Sequence, residues 1–414
     1  MRTSRFFATT ALSFLFAIPA FTAAADSAHS WDLEKLFTAP PHEWLDAHAK
    51  IRTLLYEGEP YHGNATHVFA YYASPETLGT PRKTDERHPG VVLIHGGGGT
   101  AFPQWAELWA KRGYAAIAMD LSGRRPDVLD EKKKPSRLPD GGPEQGTPEK
   151  FESIATEDVT DDWPYHAVAN SIRAHSLLRS FSEVDKNATA VTGISWGGYT
   201  CCIVASLDHR FKAAVPVYGC GFLHENSAWL DQFARLGPEN SRRWVKLYDP
   251  SSHLPRCRVP IFFVNDTNDF AYPLDSYMKS WNAVTLPPKN IRLDVTMKHG
   301  HESGWAPKEI GLFVGSTLKF RGEKPLPVCA PPEIKDGQFF TDVVTTVPLK
   351  SASLHYALPG APINKREWKT LPATFKDGVV TAPMPPADAD MAFLTVTDER
   401  DATVSSIVKF LPGR

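Results

Sequence analysis

Cysteine is scarce in this chain. Cys201, Cys202, Cys220, Cys257 and Cys329 make an odd set of five, so at least one is unpaired within the chain. None of their spacings suits a metal site, and the residues alone leave a Cys220–Cys257 disulfide open. Basic charge is also lacking. A net charge of −2 argues against a nucleic-acid partner. Beyond the first 25 residues no apolar run is long enough to span a bilayer, which leaves no candidate for an internal membrane helix. There is no internal repeat and no low-complexity segment, and this removes solenoids, propellers and tracts of biased composition.

What is present describes an ordinary globular protein. Apolar residues make up 42% and charged residues 22% of the chain. Proline is plentiful at 35 residues, which predicts long ordered loops rather than long helices. The N-terminus stands apart. Arg2 and Arg5 form a basic start, residues 6–18 are apolar, and Ala23-Ala24-Ala25 precedes Asp26. This is the pattern of a cleaved export signal over 1–25, with an uncleaved anchor as the alternative. The expectation is a secreted or periplasmic protein with no membrane association after cleavage.

Residues 26–325 read as one α/β unit. A short helix is expected around 42–49, then two strands at 51–56 and 67–72 forming an antiparallel edge. Continuous apolar runs at 91–94, 114–119, 213–218, 260–264 and 291–297 read as buried strands of a mostly parallel sheet. Helical stretches at 105–112, 164–181, 199–207, 273–284 and 307–320 alternate with them. Residues 120–160 read as one long irregular loop, a length that is often functional and here is expected to shape a pocket. Residues 221–254 form a helical excursion where a lid would sit. From 326 to 414 the texture changes to short alternating runs, expected to form a small C-terminal β-sandwich.

Four chemical features fall at the ends of successive strands, where ligands bind in open α/β sheets. Gly193-Ile194-Ser195-Trp196-Gly197, followed by Gly198, fits G-x-S-x-G, a sharp turn that exposes a serine hydroxyl. His95-Gly96-Gly97-Gly98-Gly99 follows the strand at 91–94. It matches neither phosphate-cradling glycine motif. Its amides, Gly97 and Gly98 with that of Trp196, instead suit an oxyanion hole. His95 reads as a residue that orders this loop. Asp269 and its rival Asp266 follow the strand at 260–264, and His299 and His301 follow the strand at 291–297. A metal reading of the two histidines lacks a third ligand, so neither a metal nor a cofactor is called for. The aromatics Phe102, Trp105, Trp196, Phe270, Tyr272 and Trp305 flank these loops and are candidate sugar-stacking surfaces.

The stretches 95–100 with Trp105, 193–198, and His299-Gly300-His301 with Gly304-Trp305 resemble the α/β-hydrolase superfamily. The resemblance is to secreted acetylxylan-esterase-like and prolyl-oligopeptidase-like serine hydrolases, and it covers residues 91–320. It implies a Ser–Asp–His chain order, with Ser195 as nucleophile and Asp269 before Phe270-Ala271-Tyr272-Pro273 as the acid. His301 is the expected base and His299 the alternate. It further implies an esterase acting on small-molecule or polysaccharide esters. A serine peptidase is the rival, although the short segment before the glycine loop leaves no room for a propeller. A carbohydrate-binding protein on an inactive hydrolase fold is the non-enzymatic alternative.

Overall fold

The computed structural model describes residues 31–411 apart from 148, 156 and 157, so the expected leader at 1–25 lies outside the described residues. Eleven strands precede the C-terminal module: β1 (His42–Asp46), β2 (Arg52–Glu57), β3 (His67–Ala73), β4 (His88–Ile94), β5 (Ala115–Met119), β6 (Arg124–Leu129), β7 (Pro135–Arg137), β8 (Val184–Ile194), β9 (Ala213–Val217), β10 (Ile261–Asp266) and β11 (Lys289–Asp294). Nine of them form one sheet in the order β1-β2-β3-β5-β4-β8-β9-β10-β11. The first three strands are antiparallel and β3 meets β5 antiparallel, while β5, β4, β8, β9, β10 and β11 run parallel. Every residue of β4, β5 and β9 is buried. A strand covered on both faces cannot alternate with water, which is why these read as unbroken apolar runs.

The covering helices are α1 (Leu33–Leu36), α2 (Pro103–Lys111), α3 (Glu149–Glu152), α4 (Trp163–Ser180), α5 (Trp196–Leu207), α6 (Leu230–Tyr248), α7 (Leu274–Ala283), α8 (His301–Trp305) and α9 (Lys308–Thr317). α4 and α5 pack together against β4 and β8, and α2 lies against β3 and β5. Sixteen of the eighteen residues of α4 are buried, so this helix lies inside the molecule. α6 bends at Gly237-Pro238, where Gly237 has φ 72° and Pro238 offers no amide to continue the ladder.

Two expectations change. Residues 42–46 are a strand, not a helix: Trp44 rests on Tyr72 and Phe181, and pairing with β2 completes the sheet edge. The long loop at 120–160 is ordered by the β6–β7 hairpin and the single turn α3. All five cysteines are free, and Cys201, Cys202, Cys220 and Cys257 are buried.

From Val328 onward the chain forms a second sheet of nine short strands, antiparallel throughout, β12 (Val328–Cys329) to β20 (Lys409–Phe410). β12 and β19 (Thr403–Ser405) approach each other, so the sheet curls into a barrel-like module. Its last strands dock on the first sheet. The Leu293 amide donates to Ser405 Oγ at 2.8 Å and the Thr403 amide to Glu309 Oε1 at 2.8 Å. Asn268 Nδ2 donates to the Arg366 carbonyl at 2.8 Å. Each of these bonds contributes about 1 kcal/mol, and each kcal/mol is worth about 1.5 °C of Tm in a unit of about 300 residues. A chain ending at Arg321 is therefore expected to melt roughly 5 °C lower in a thermal scan. An unchanged Tm would show that the module adds nothing to the first unit.

Candidate active site

The backbone at Ser195 is strained. It has φ 59° and ψ −118° between β8 and α5, a region that costs an L-residue about 1–3 kcal/mol. Its amide donates to the Val217 carbonyl at 2.8 Å, which holds the turn against β9. Side chains are excluded around it. A Cβ at Gly193 would lie 2.1 Å from the Gly197 carbonyl oxygen, and one at Gly197 would lie 2.0 Å from that of Ile94. The glycines of the motif thus record how closely strand and helix cross, and the turn lifts Ser195 Oγ out at the strand end.

Ser195 Oγ lies 3.0 Å from His299 Nε2, and His299 Nδ1 lies 2.6 Å from Asp269 Oδ2. The other Asp269 oxygen accepts the Ala271 and Tyr272 amides at 2.8 Å each, which fixes the buried carboxylate in plane. A carboxylate on Nδ1 selects the tautomer with Nδ1 protonated and leaves Nε2 to accept from the serine hydroxyl. The imidazole is held from two sides. Tyr218 stacks on it at 4.5 Å and Phe270 lies 4.9 Å away. Tyr218, at φ 62° directly after β9, donates its hydroxyl to the Lys298 carbonyl at 2.8 Å. Sequence reasoning passed over Tyr218, although its position at a strand end was a usable signal.

The structure corrects the expected placement of His301. The loop after β11 turns at once, with Thr296 at φ 59°, so His299 reaches Ser195 and His301 goes on to begin α8. His301 Nε2 accepts the Gly96 amide at 3.0 Å, and its ring rests on Phe102 at 4.6 Å. Burial, then the neighbouring His95 and His299, push His301 down to about 4, so it is neutral at ordinary pH and remains an acceptor. Asp266 is a brace between loops. One of its oxygens accepts the Asn268 amide at 3.0 Å and the Met297 amide at 3.1 Å, and burial raises its carboxyl to about 6.

The glycine loop abuts the elbow. A Cβ on Gly96 would lie 3.0 Å from Ser195 Cβ, and one on Gly97 would lie 2.8 Å from Trp196 Cδ1. Gly98 takes φ 69° as the loop turns. His95 orders the loop from beneath: Nδ1 is 2.8 Å from the Gly96 carbonyl, and Nε2 accepts the Leu121 amide at 2.9 Å. Among the described residues the amides of Gly97 and Trp196 donate no backbone hydrogen bond, so both are free to meet a ligand oxygen. Beside the loop opens a cleft of about 490 Å³, with Gly98, Gly99 and Thr100 on one wall and Arg124, Lys134 and Glu144 of the 120–160 segment on the other. The aromatics divide. Trp105 is buried and stacks on Trp305 at 5.3 Å, whereas Phe270 is 60% exposed beside His299.

Residues 64–236 match the acetyl xylan esterase family, AXE1. Acetyl esterase Axe7A of Xylanibacter ruminicola is 24% identical over 239 residues, covering 54% of this chain and 51% of the relative. The chain therefore spans about half the length of the curated relative it matches. An acetyl xylan esterase from Paenibacillus sp. R4 superposes with a TM-score of 0.51 at 21% identity, over 65% of this chain and 87% of that one. Acetyl xylan esterase 1 from Thermoanaerobacterium sp. JW/SL YS485 gives 0.52 at 16% identity, over 70% and 94%. A puromycin-hydrolyzing peptidase of Mycobacterium tuberculosis gives 0.51 at 19% identity, over 68% and 42%. These structural likenesses establish the fold. With its parallel sheet and its elbow after β8, the chain has the α/β-hydrolase fold, and its residues 64–236 match the acetyl xylan esterase family.

Proposed function

We propose that this protein is a serine esterase that removes small acyl groups, acetate first, from sugar hydroxyls. The observation that carries the reading is the hydrogen-bonded line from Ser195 Oγ through His299 to Asp269. Ser195 Oγ attacks the acyl carbon while His299 Nε2 takes its proton, and Asp269 stabilises the imidazolium that forms. The carbonyl oxygen, now negative, is met by the amides of Gly97 and Trp196, with Gly98 supplying the turn that presents them. Collapse expels the sugar alcohol, which recovers the proton from His299. Water then repeats the sequence on the acyl-enzyme. Phe270 offers the exposed aromatic face on which a sugar ring can stack. No helix among the described residues is long and apolar enough to cross a membrane. Export rests on the leader at 1–25 and is tested by reading the mature N-terminus by mass spectrometry.

The fold serves peptidases as well as esterases, so substrate preference decides between them. We expect kcat/KM on an acetylated xylo-oligosaccharide to exceed that on a methyl glucuronate ester or an aminoacyl anilide by more than about tenfold, roughly 1.4 kcal/mol of transition-state binding. A preference of that size for the anilide would make the protein a peptidase. One for the uronate ester would move the acyl group to the sugar side.

A further inference from the structure

A lysine is seldom buried without a carboxylate beside it, because its ammonium loses hydration that apolar contacts cannot replace. Lys150, on the turn α3, is 4% exposed. Among the described residues no hydrogen bond or ion pair of its Nζ is seen, and Glu149 is the carboxylate that acts on it from a distance. Its surroundings are aromatic: Nζ is 4.5 Å from the Trp196 ring centroid and 5.2 Å from that of Trp163. The two indoles meet edge to face at 5.7 Å. A Cβ on Gly97 would lie 3.6 Å from Nζ.

The turn that carries it is anchored. Trp244 Nε1 of α6 donates to the Lys150 carbonyl at 2.8 Å, and Phe151 stacks on Trp244 at 5.0 Å. The ammonium is thus held against Gly97 and Trp196, the two residues whose amides face the reacting carbonyl in the proposed function. Cation–π contact offsets only part of the cost of burying this charge. A negative charge that appears nearby during reaction would repay the rest, since charges in a dry site interact far more strongly than in water.

We propose that the Lys150 ammonium, boxed by Trp163 and Trp196 behind Gly97, stabilises through space the negative charge that forms on the ester oxygen when Ser195 attacks. This rests on the esterase reading above. In this reading Lys150 acts at a distance, by its charge, on the oxyanion site.

The ionisable groups within reach are few. Glu149 lies on the same turn, and His95 lies beneath the glycine loop, where burial holds it below its usual range. α4 and α5 present indole faces to the ammonium, and α6 presents Trp244 to its backbone. Burial pushes Lys150 down to about 7. The cation is present below that value and is lost as pH rises through it, so kcat/KM should fall on the alkaline side to a lower plateau.

The test is the pH dependence of aryl acetate hydrolysis by Lys150→Met and Lys150→Arg, with fluorophosphonate labelling of Ser195 as the reference. Lys150→Met is expected to lower kcat roughly 10- to 100-fold, to leave KM within about threefold, and to show no alkaline fall. Lys150→Arg, which stays charged, is expected to keep most of kcat and also to lose the fall. A wild-type kcat in the Met variant, or a fall that persists in either variant, overturns the inference while labelling leaves the esterase reading standing. If the Met variant does not fold, the Arg profile alone decides. A wild-type protein that is not labelled at Ser195 overturns both.

Discussion

Alanine at position 195 is expected to abolish turnover, with kcat falling by about 10³- to 10⁶-fold while substrate still binds. Ser195 is the group that forms the acyl bond in the proposed mechanism, so its loss leaves only the free amides of Gly97 and Trp196 to polarise an ester. Stability should change little. Alanine meets the same steric cost as serine at φ 59°, and the backbone bond to Val217 is kept. Steady-state assays on an aryl acetate, with a thermal scan as the folding control, make the comparison. A folded variant with wild-type kcat would remove Ser195 from the chemistry and the esterase reading with it.

The second large effect separates the two histidines. His299→Ala is expected to be as inactive as Ser195→Ala, because residues that act as one unit lose their function together. His301→Ala should be milder. It removes the acceptor for the Gly96 amide and the ring packed on Phe102, which loosens the glycine loop without touching the proton path. A misplacement of about 1 Å there costs up to about 100-fold in rate. Because His301 is held down at about 4, its protonation breaks the Gly96 bond only in strong acid, so the His301 variant should keep the wild-type profile at neutral pH. Equal inactivation of both variants would mean that the glycine loop, not the base, limits the reaction. A dead His301→Ala beside an active His299→Ala would refute the geometry at Ser195.

The parts legible in the sequence are those set by short-range sterics and by period. Gly193, Gly197 and Gly198 mark a crossing too close for any Cβ, and that demand is local enough to leave a five-residue trace. Buried parallel strands leave unbroken apolar runs, so β4, β5 and β9 could be read directly. Asp269 and the pair of histidines drew attention in the sequence because strand ends are where ligands bind in open α/β sheets. By contrast, β1 took its conformation from Trp44 settling on Tyr72 and Phe181, contacts distant in sequence that outweighed local helical propensity. The choice between His299 and His301 depended on one tight turn at Thr296, and two histidines separated by a single glycine carry no signal of which way a loop turns. Lys150 lay in a stretch with no period, so nothing in its neighbourhood announced that folding would close two tryptophans around it. The sequence by itself determined the fold class, the elbow and the set of residue types that can do the chemistry, because each follows from backbone space and burial over a few residues. Only the tertiary structure decided which histidine faces the serine, which aromatic stays exposed and which cation stands behind the glycine loop, because those distances are set by segments that meet across the molecule.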